Sequence, residues 1–362
     1  MCIKNNKHDM KQLYEYINET KNNVSLIAFG DVALHKKNCE YYKINNTYDF
    51  SSIISDIKPI VSKYDIAFYN QESIIGGDLG WYGGKIENNK SHLNNPKEIS
   101  DSLVNAGFNL ISLSNNHTFD CGELGIKNSS EYWKNKNVIT NGSWYTENDA
   151  KPSIFTKNGI KIGFISYTNK INGIYSNKWY YRNEYNTEKA KQDVAYLKSN
   201  NVDLIKVSMH WGYENDSDKN SSYICKEIPS EDQKEIAKEL SNLGVNIILG
   251  THSHYIHPIE KIKNTFVVYS LGNFIFSSKL YNELKHKVGA IVKFNIRKIN
   301  NKIKIDINYD LLYIDWHENG KIKVYPFSTL STNILPQKYS VFQYYKNILN
   351  KNLIINDNEN SI

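Results

Sequence analysis

Short apolar runs alternate with stretches of helical periodicity along most of this chain. Residues 25–30 (SLIAFG) form a compact apolar run closed by Gly30-Asp31, the signature of a buried strand. The pattern recurs at 66–70 (IAFYN), 108–114 (FNLISLS), 203–210 (DLIKVSMH), 246–250 (NIILG) and 266–272 (FVVYSLG). Amphipathic segments lie between. Residues 49–64 predict a helix with Pro59 as a kink or boundary. Asn95-Pro96 predicts an N-cap and first helical position, for a helix reaching Ala106 with Gly107 at C′. Residues 122–137 and 187–199 are helical, and Ser230 with Gln233 makes a capping box for a helix ending near Gly244. Asn158-Gly159, between SIFT and IKIGFISYT, predicts a hairpin. Period-two alternation, clearest in KIKIDINYD, places strands near 288–297, 302–315 and 321–326. Residues 73–95, rich in Gly and Asn, read as a long surface loop.

Strands alternating with helices predict an α/β fold built on parallel sheet, with a β-rich C-terminal part. The expected organisation is a helical extension over 1–23, a main domain over 24–280, β structure over 281–349 packed on that domain, and a polar tail over 350–362. No internal repeat or long linker interrupts it.

Composition narrows the function classes. Of 362 residues, 40% are hydrophobic and 23% charged, enough for a sizeable core and too apolar for a disordered chain. The net charge of +6 comes from dispersed lysines rather than a basic cluster, which argues against nucleic-acid binding. No run approaches the roughly 20 apolar residues of a membrane span, and the N-terminus lacks an apolar leader. A cytoplasmic protein is expected, with peripheral membrane association left to a partner. Cys2, Cys39, Cys121 and Cys225 include no C-x-x-C pair and read as free thiols. His8, His35, His92, His286 and His317 read as surface residues.

The candidate chemistry sits immediately after the apolar strands. Asp31 follows LIAFG, and Asn70 and Glu72 follow IAFY. Asn115, Asn116 and His117 follow LISLS, His210 ends LIKVSM, and His252 and His254 follow NIILG. Taken singly, Asp31, Asn115 and Asn116 also fit turns, Glu72 a solvated loop, and His210 a hydrogen-bonded core histidine. Jointly they deliver carboxylates, amides and imidazoles to the carboxyl ends of strands, where open α/β sheets form their binding crevice. That donor set suits zinc, manganese or iron. In a strand, His252 and His254 would share a face.

Six segments, GDVAL (30–34), NQES (70–73), SLSNNHTFDCG (112–122), MHWGYE (209–214), GTHSHYIHPIE (250–260) and YSLGNFIF (269–276), resemble in order and spacing the CapA family of poly-gamma-glutamate capsule synthesis proteins. The family is similar to calcineurin-like metallophosphatases. The resemblance implies a four-layer α/β/β/α sandwich and a site for two divalent metal ions. By position, Asp31 would hold the first metal and Glu72 would bridge. Asn116, His210 and His252 would hold the second, and His254 would return to the first. His117 would donate a proton, oriented by Asp120. Trp211, Glu214 and Asn273 would support the metals or position substrate. The phosphatases' D-x-H is here Asp31-Val32-Ala33, so one ligand is missing or comes from elsewhere, with His35 as a candidate. The resemblance further implies polyglutamate synthase components as partners and an anionic polymer or phosphoester as substrate. A non-catalytic assembly subunit and a stand-alone phosphoesterase remain the alternatives. Substrate choice would lie in the loops 73–95 and 169–186, where Trp81, Tyr82, Trp179, Tyr180 and Tyr181 could line a groove.

Overall fold

A computed structural model of the chain describes residues 22–87, 90–173, 175–214, 227–277 and 283–353. Most of the extension expected over 1–23 and of the tail after 353 lies outside these residues, as do Cys2, His8 and Cys225. Two sheets organise the rest. The first contains β1 (Asn23–Ala33), β2 (Ile66–Gln71), β3 (Leu110–Ser112), β4 (Ile139–Asn141), β11 (Asn273–Phe276), β12 (Val288–Ile299), β13 (Lys302–Trp316) and β14 (Ile322–Pro326). Its order is β14-β13-β12-β1-β2-β3-β4, with β11 paired to the end of β1. The β-rich C-terminal segment therefore extends this sheet antiparallel to β1. The second sheet contains β5 (Ser153–Lys157), β6 (Ile160–Thr168), β7 (Leu204–Trp211), β8 (Ile247–His252), β9 (Ile259–Ile262) and β10 (Thr265–Val268), ordered β9-β10-β8-β7-β6-β5.

Strand alternation gives each sheet two apolar faces. Inner-face residues Leu26, Ala28, Phe68 and Leu110 of the first sheet pack on Ile162, Phe164, Leu204 and Leu249 of the second. The opposite face of the first sheet packs Ile27, Phe29, Ala67 and Tyr69 on Ile99 and Leu103 of α3 (Lys97–Ala106) and Trp133 of α4 (Gly122–Lys134). Earlier in the chain stand α1 (Lys36–Tyr41) and α2 (Lys58–Val61). The second sheet packs Tyr167, Val207, Met209 and Trp211 on Ala190, Val194 and Leu197 of α5 (Thr187–Ser199) and Ala237 and Leu240 of α6 (Glu231–Asn242). The layers are helix, sheet, sheet, helix. A further helix, α7 (Lys338–Leu349), inserts Val341, Tyr345 and Leu349 into the inter-sheet core. No helix of the described residues is long and apolar enough to cross a membrane.

Local signals hold where one residue dictates backbone geometry. Asn158 and Gly159 both take positive φ between the antiparallel β5 and β6, as a two-residue hairpin requires. Ser230 and Gln233 close the capping box of α6. Other readings give way to tertiary contacts. Residues 49–64 split into a 3₁₀ turn (Ser51–Ile54) and the short α2, because Pro59 denies an amide hydrogen to the ladder. Asn95 is not a cap. Its amide ties Leu34 N at 2.8 Å and Leu34 O at 2.7 Å, binding two loops together, and Pro96 takes the cap position. The 73–95 segment is only partly superficial: Ile74, Ile75 and Leu93 are buried, and Lys85–Glu87 pairs with Lys90–His92.

Lys206 is fully buried on the inner face of β7. Its Nζ stands 3.4 Å from the Phe68 ring centroid and 4.2 Å from that of Phe164, and among the described residues it has no hydrogen-bond partner. Ring faces return up to about 2 kcal/mol to an ammonium, less than the several kcal/mol that burying it costs. Burial therefore holds its pKa well below the ordinary lysine value. The folded state then binds fewer protons than the unfolded chain, and stability falls as pH drops below about 10. Lys206→Met is expected to raise Tm at pH 7 by about 4 °C or more, with the gap closing toward pH 10. Thermal melts across that range check it; an unchanged or lower Tm at pH 7 contradicts the burial argument.

Candidate metal centre

The carboxyl ends of the parallel strands in both sheets meet along one edge. Asp31 is aimed there by a β-bulge: between Ala28 and Asp31 the register of β1 slips against β2, so that Asp31 lies opposite Asn70. Gly30 permits this. A Cβ at Gly30 would stand 1.8 Å from Gly272 O, where β1 and the turn before β11 run together. Asp31 is fully buried. Its Oδ1 accepts from Asn70 Nδ2 at 2.7 Å and its Oδ2 from the His252 backbone at 3.0 Å. Glu72, one residue past β2, is also buried, yet among the described residues neither carboxylate oxygen has a hydrogen-bond partner.

Three imidazoles surround this carboxylate. His210 lies on the inner face of β7, with Nε2 3.7 Å from Glu72 Oε1. His254 places Nε2 3.8 Å from the same oxygen and Nδ1 3.9 Å from Asp31 Oδ2. His252 sets its ring 4.5 Å from that of His210, tilted by 54°. Ligand atoms of Glu72, His210 and His252 lie within 4.8 Å of one another, as do those of Asp31, Glu72 and His254. Glu72 is common to both groups.

His252 and His254 do not reach their groups by strand alternation. The strand ends at His252, and both residues adopt positive φ, 93° and 60°. Such backbone is costly for a residue with a Cβ and persists only where surroundings enforce it. The turn sends the two rings to different groups. Neighbours fix the orientations: Thr251 Oγ1 is 2.9 Å from His210 Nδ1, Asn116 Oδ1 is 2.9 Å from His210 Nε2, and Asn273 Oδ1 is 2.7 Å from His254 Nδ1. Asn116 also donates to Glu214 Oε1 at 3.1 Å, and Glu214 Oε1 lies 3.2 Å from His252 Nδ1.

The electrostatics run one way. Burial pushes the carboxyls of Asp31 and Glu72 up, Asp31 to about 7, and the charges of Asp31 and Glu214 raise Glu72 further. Burial pulls His210 and His252 well below the ordinary imidazole value and His254 to about 3. Neutral imidazoles and partnerless carboxylate oxygens are the donor set of a divalent cation of the zinc, manganese or iron type, and the residues present fit one.

His117 stands beside these groups. Its backbone is held by Asn115 Oδ1 at 2.9 Å, and its Nδ1 lies 2.6 Å from Asp120 Oδ2. Burial opposes its charge, but Asp120, together with Glu214 and Asp31, outweighs that and the net shift is upward. Asp120 is anchored in turn by the Leu93 N–H at 2.5 Å.

Most of the residues singled out from the sequence converge, and Trp211 does not. It follows His210 on the strand, so its ring faces the opposite side, buried against α6 with Nε1 donating to Tyr269 O at 2.8 Å. It supports the fold and lines no site. Asn273 orients His254. Asn70, Thr251 and Asn172 touch the site and carried no role in the sequence reading, although Asn70 was visible at a strand end. Asn172 Nδ2 lies 3.3 Å from His117 Nδ1. His286 is buried against Tyr255 rather than exposed, and His35 is half-buried. Trp81 and Tyr82 do not join Trp179–Tyr181: Tyr82 packs on Tyr48, while Tyr181 stacks on Phe119.

A model of the family described as "Bacterial capsule synthesis protein PGA_cap" matches residues 25–278. The PGA biosynthesis protein CapA of Bacillus subtilis (strain 168) is 26% identical over 262 residues, 71% of this chain and 64% of that protein. The capsule biosynthesis protein CapA of Bacillus anthracis is 25% identical over 281 residues, 76% and 64% respectively. The chain thus spans just under two thirds of the length of these relatives. Among solved structures, Haemophilus influenzae NAD nucleotidase aligns with TM-score 0.48 at 15% identity, over 89% of this chain and 62% of that one. A putative 5'-nucleotidase from Staphylococcus aureus aligns with TM-score 0.46 at 13% identity, over 89% and 58%.

Elemental analysis after manganese loading tests the geometry. Asp31→Asn and His254→Ala are expected to lose one group's metal, His210→Ala and His252→Ala the other's, and Glu72→Gln most of both. Metal content that is nil in the wild type, or unchanged in all five variants, refutes the site.

Proposed function

Since this chain belongs to the bacterial capsule synthesis family PGA_cap, we propose that it is a two-metal phosphoester hydrolase serving poly-gamma-glutamate or a related capsular polymer. The observation that carries the reading is Glu72, a buried carboxylate without a hydrogen-bond partner among the described residues, shared by two ligand groups. Asp31, Glu72 and His254 would hold one cation, and Glu72, His210 and His252 the other, with Asn116 Oδ1 at hand. When bound, such a pair polarises phosphoryl oxygens and supplies a nucleophilic water near neutral pH.

The chain's own residues do the rest. Asn70 and the His252 N–H hold Asp31 in place. Asn273 locks the His254 ring, so that its Nε2 edge meets Glu72. Asp120 binds His117 at Nδ1 and favours the imidazolium, leaving Nε2 to give its proton to the departing oxygen. Glu214 and Asn172 position groups around Asn116 and His117. Polyglutamate synthase components are the proposed partners.

A second reading, a non-catalytic assembly subunit, draws support from Ala33. The phosphatases' D-x-H histidine would stand there, and here it is buried against Leu93 and Phe276. A panel of phosphomonoesters and phosphodiesters with manganese separates the two. Hydrolysis is expected, with His117→Ala lowering kcat about 10²–10⁴-fold on alkyl leaving groups and far less on nitrophenolate, which needs no proton. Metal-loaded wild type that turns over no member of the panel establishes the binding role instead.

A further inference from the structure

Thr168, the last residue of β6, pairs with His210 of β7. Its Oγ1 donates to His210 O at 3.1 Å and accepts from the Lys170 N–H at 3.0 Å, and the Asn169 N–H donates to the same His210 carbonyl at 3.1 Å. Two residues beyond Lys170, Asn172 Oδ1 accepts from Asn116 Nδ2 at 3.1 Å, and its Nδ2 lies 3.3 Å from His117 Nδ1. The segment 169–172 is thus clamped at one end to His210 and at the other to Asn116 and His117. Lys170 lies between the clamps. It is half-buried, and its Nζ stands 4.1 Å from the ring centroid of Tyr213, two residues past the end of β7. Its charge is near enough to the second ligand group to lower both His210 and His252.

We propose that Lys170 is a substrate-binding residue of this centre, its ammonium taking an anionic oxygen of the scissile phosphoryl group on the His210–His252 side. The inference rests on the hydrolytic reading above and names a group that holds the phosphoryl oxygen on that side. Three observations carry it. An ammonium offers donors and no lone pair, so Lys170 cannot ligate a cation. Beside a cation held by His210 and His252 its charge is unfavourable, and an anionic oxygen shared by the two removes the repulsion. Glu214, a carboxylate on the same side, is already engaged at Oε1 by Asn116 and His252. Second, the backbone clamps and the Tyr213 ring face order the ammonium before substrate arrives, so little freedom is lost on binding. Third, Asn172 ties the same short segment to His117. One loop then holds both the group that binds the phosphoryl oxygen and the group that protonates the leaving oxygen. A donor fixed in this way stabilises the charge carried by the phosphoryl oxygens during an in-line displacement.

Calorimetric titration of the manganese-loaded full chain with orthophosphate tests the assignment. Lys170→Met is expected to weaken orthophosphate about tenfold or more, the loss of one charge-assisted hydrogen bond, while manganese content by elemental analysis stays unchanged. Lys170→Arg, which keeps the charge, should recover most of the affinity, and the gap between wild type and Lys170→Met should narrow as sodium chloride rises. Lys170→Gln decides the matter should Lys170→Met fail to fold. Unchanged orthophosphate affinity, loss of manganese from the variants, a loss that arginine does not recover, or no orthophosphate binding by the loaded wild type each overturn the proposal. The phosphoester panel separates it from the hydrolytic reading. Lys170-dependent orthophosphate binding without turnover leaves the subsite standing and removes the reaction. Turnover whose kcat/KM is the same in Lys170→Met as in wild type does the reverse.

Discussion

A buried carboxylate with nothing to hydrogen-bond is among the most expensive groups a fold can hold. Among the described residues Glu72 is one, and Asp31, a second buried carboxylate, belongs to the same cluster. Burial pushes both carboxyls toward protonation, with the Asp31 charge raising Glu72 further, while it strips the surrounding imidazoles of their protons. Negative charge without positive charge, ringed by neutral nitrogen lone pairs, is the arrangement that divalent cations satisfy. The rest of the site follows from keeping these groups dry and correctly turned.

The two-sheet sandwich does this by bringing strand ends together. Asp31 and Glu72 come from the first sheet, His210, His252 and His254 from the second, and the inter-sheet core excludes water beneath them. The rigidity lies one layer out. Asn70, Thr251 and Asn273 fix Asp31, His210 and His254 through single short hydrogen bonds, and the left-handed backbone at His252 and His254 divides two near neighbours in sequence between two groups. The close approach at Gly30 brings β1 and the β11 turn near enough for Asn273 to reach across.

The His117–Asp120 pair stands beside the metal groups on a different element. His117 and Asp120 sit on a turn after β3, pinned by Asn115 and by the Leu93 amide. Leu93 also belongs to the apolar cluster with Ala33 and Phe276. Leu93, just after the paired strands Lys85–Glu87 and Lys90–His92, thus joins the 73–95 segment both to Asp120 and to that apolar cluster.

Local order was legible in the sequence. The strands, the Asn158-Gly159 hairpin, the capping box of α6 and the placement of donor residues after strands all follow from periods of two and 3.6 and from turn chemistry, which depend on neighbours a few residues away. The joint pattern from Asp31 to His254 could be read because strand ends share an edge in this fold class. Alternation alone would have turned Trp211 away from the site that His210 faces. What only the tertiary structure decided involves partners distant in the chain. Asn95 left its capping role to tie Leu34, His286 became buried and His35 half-buried, and His252 and His254 parted at a strained turn. Those outcomes turn on contacts between residues far apart in the chain or between sheets, where packing and desolvation outweigh local propensity.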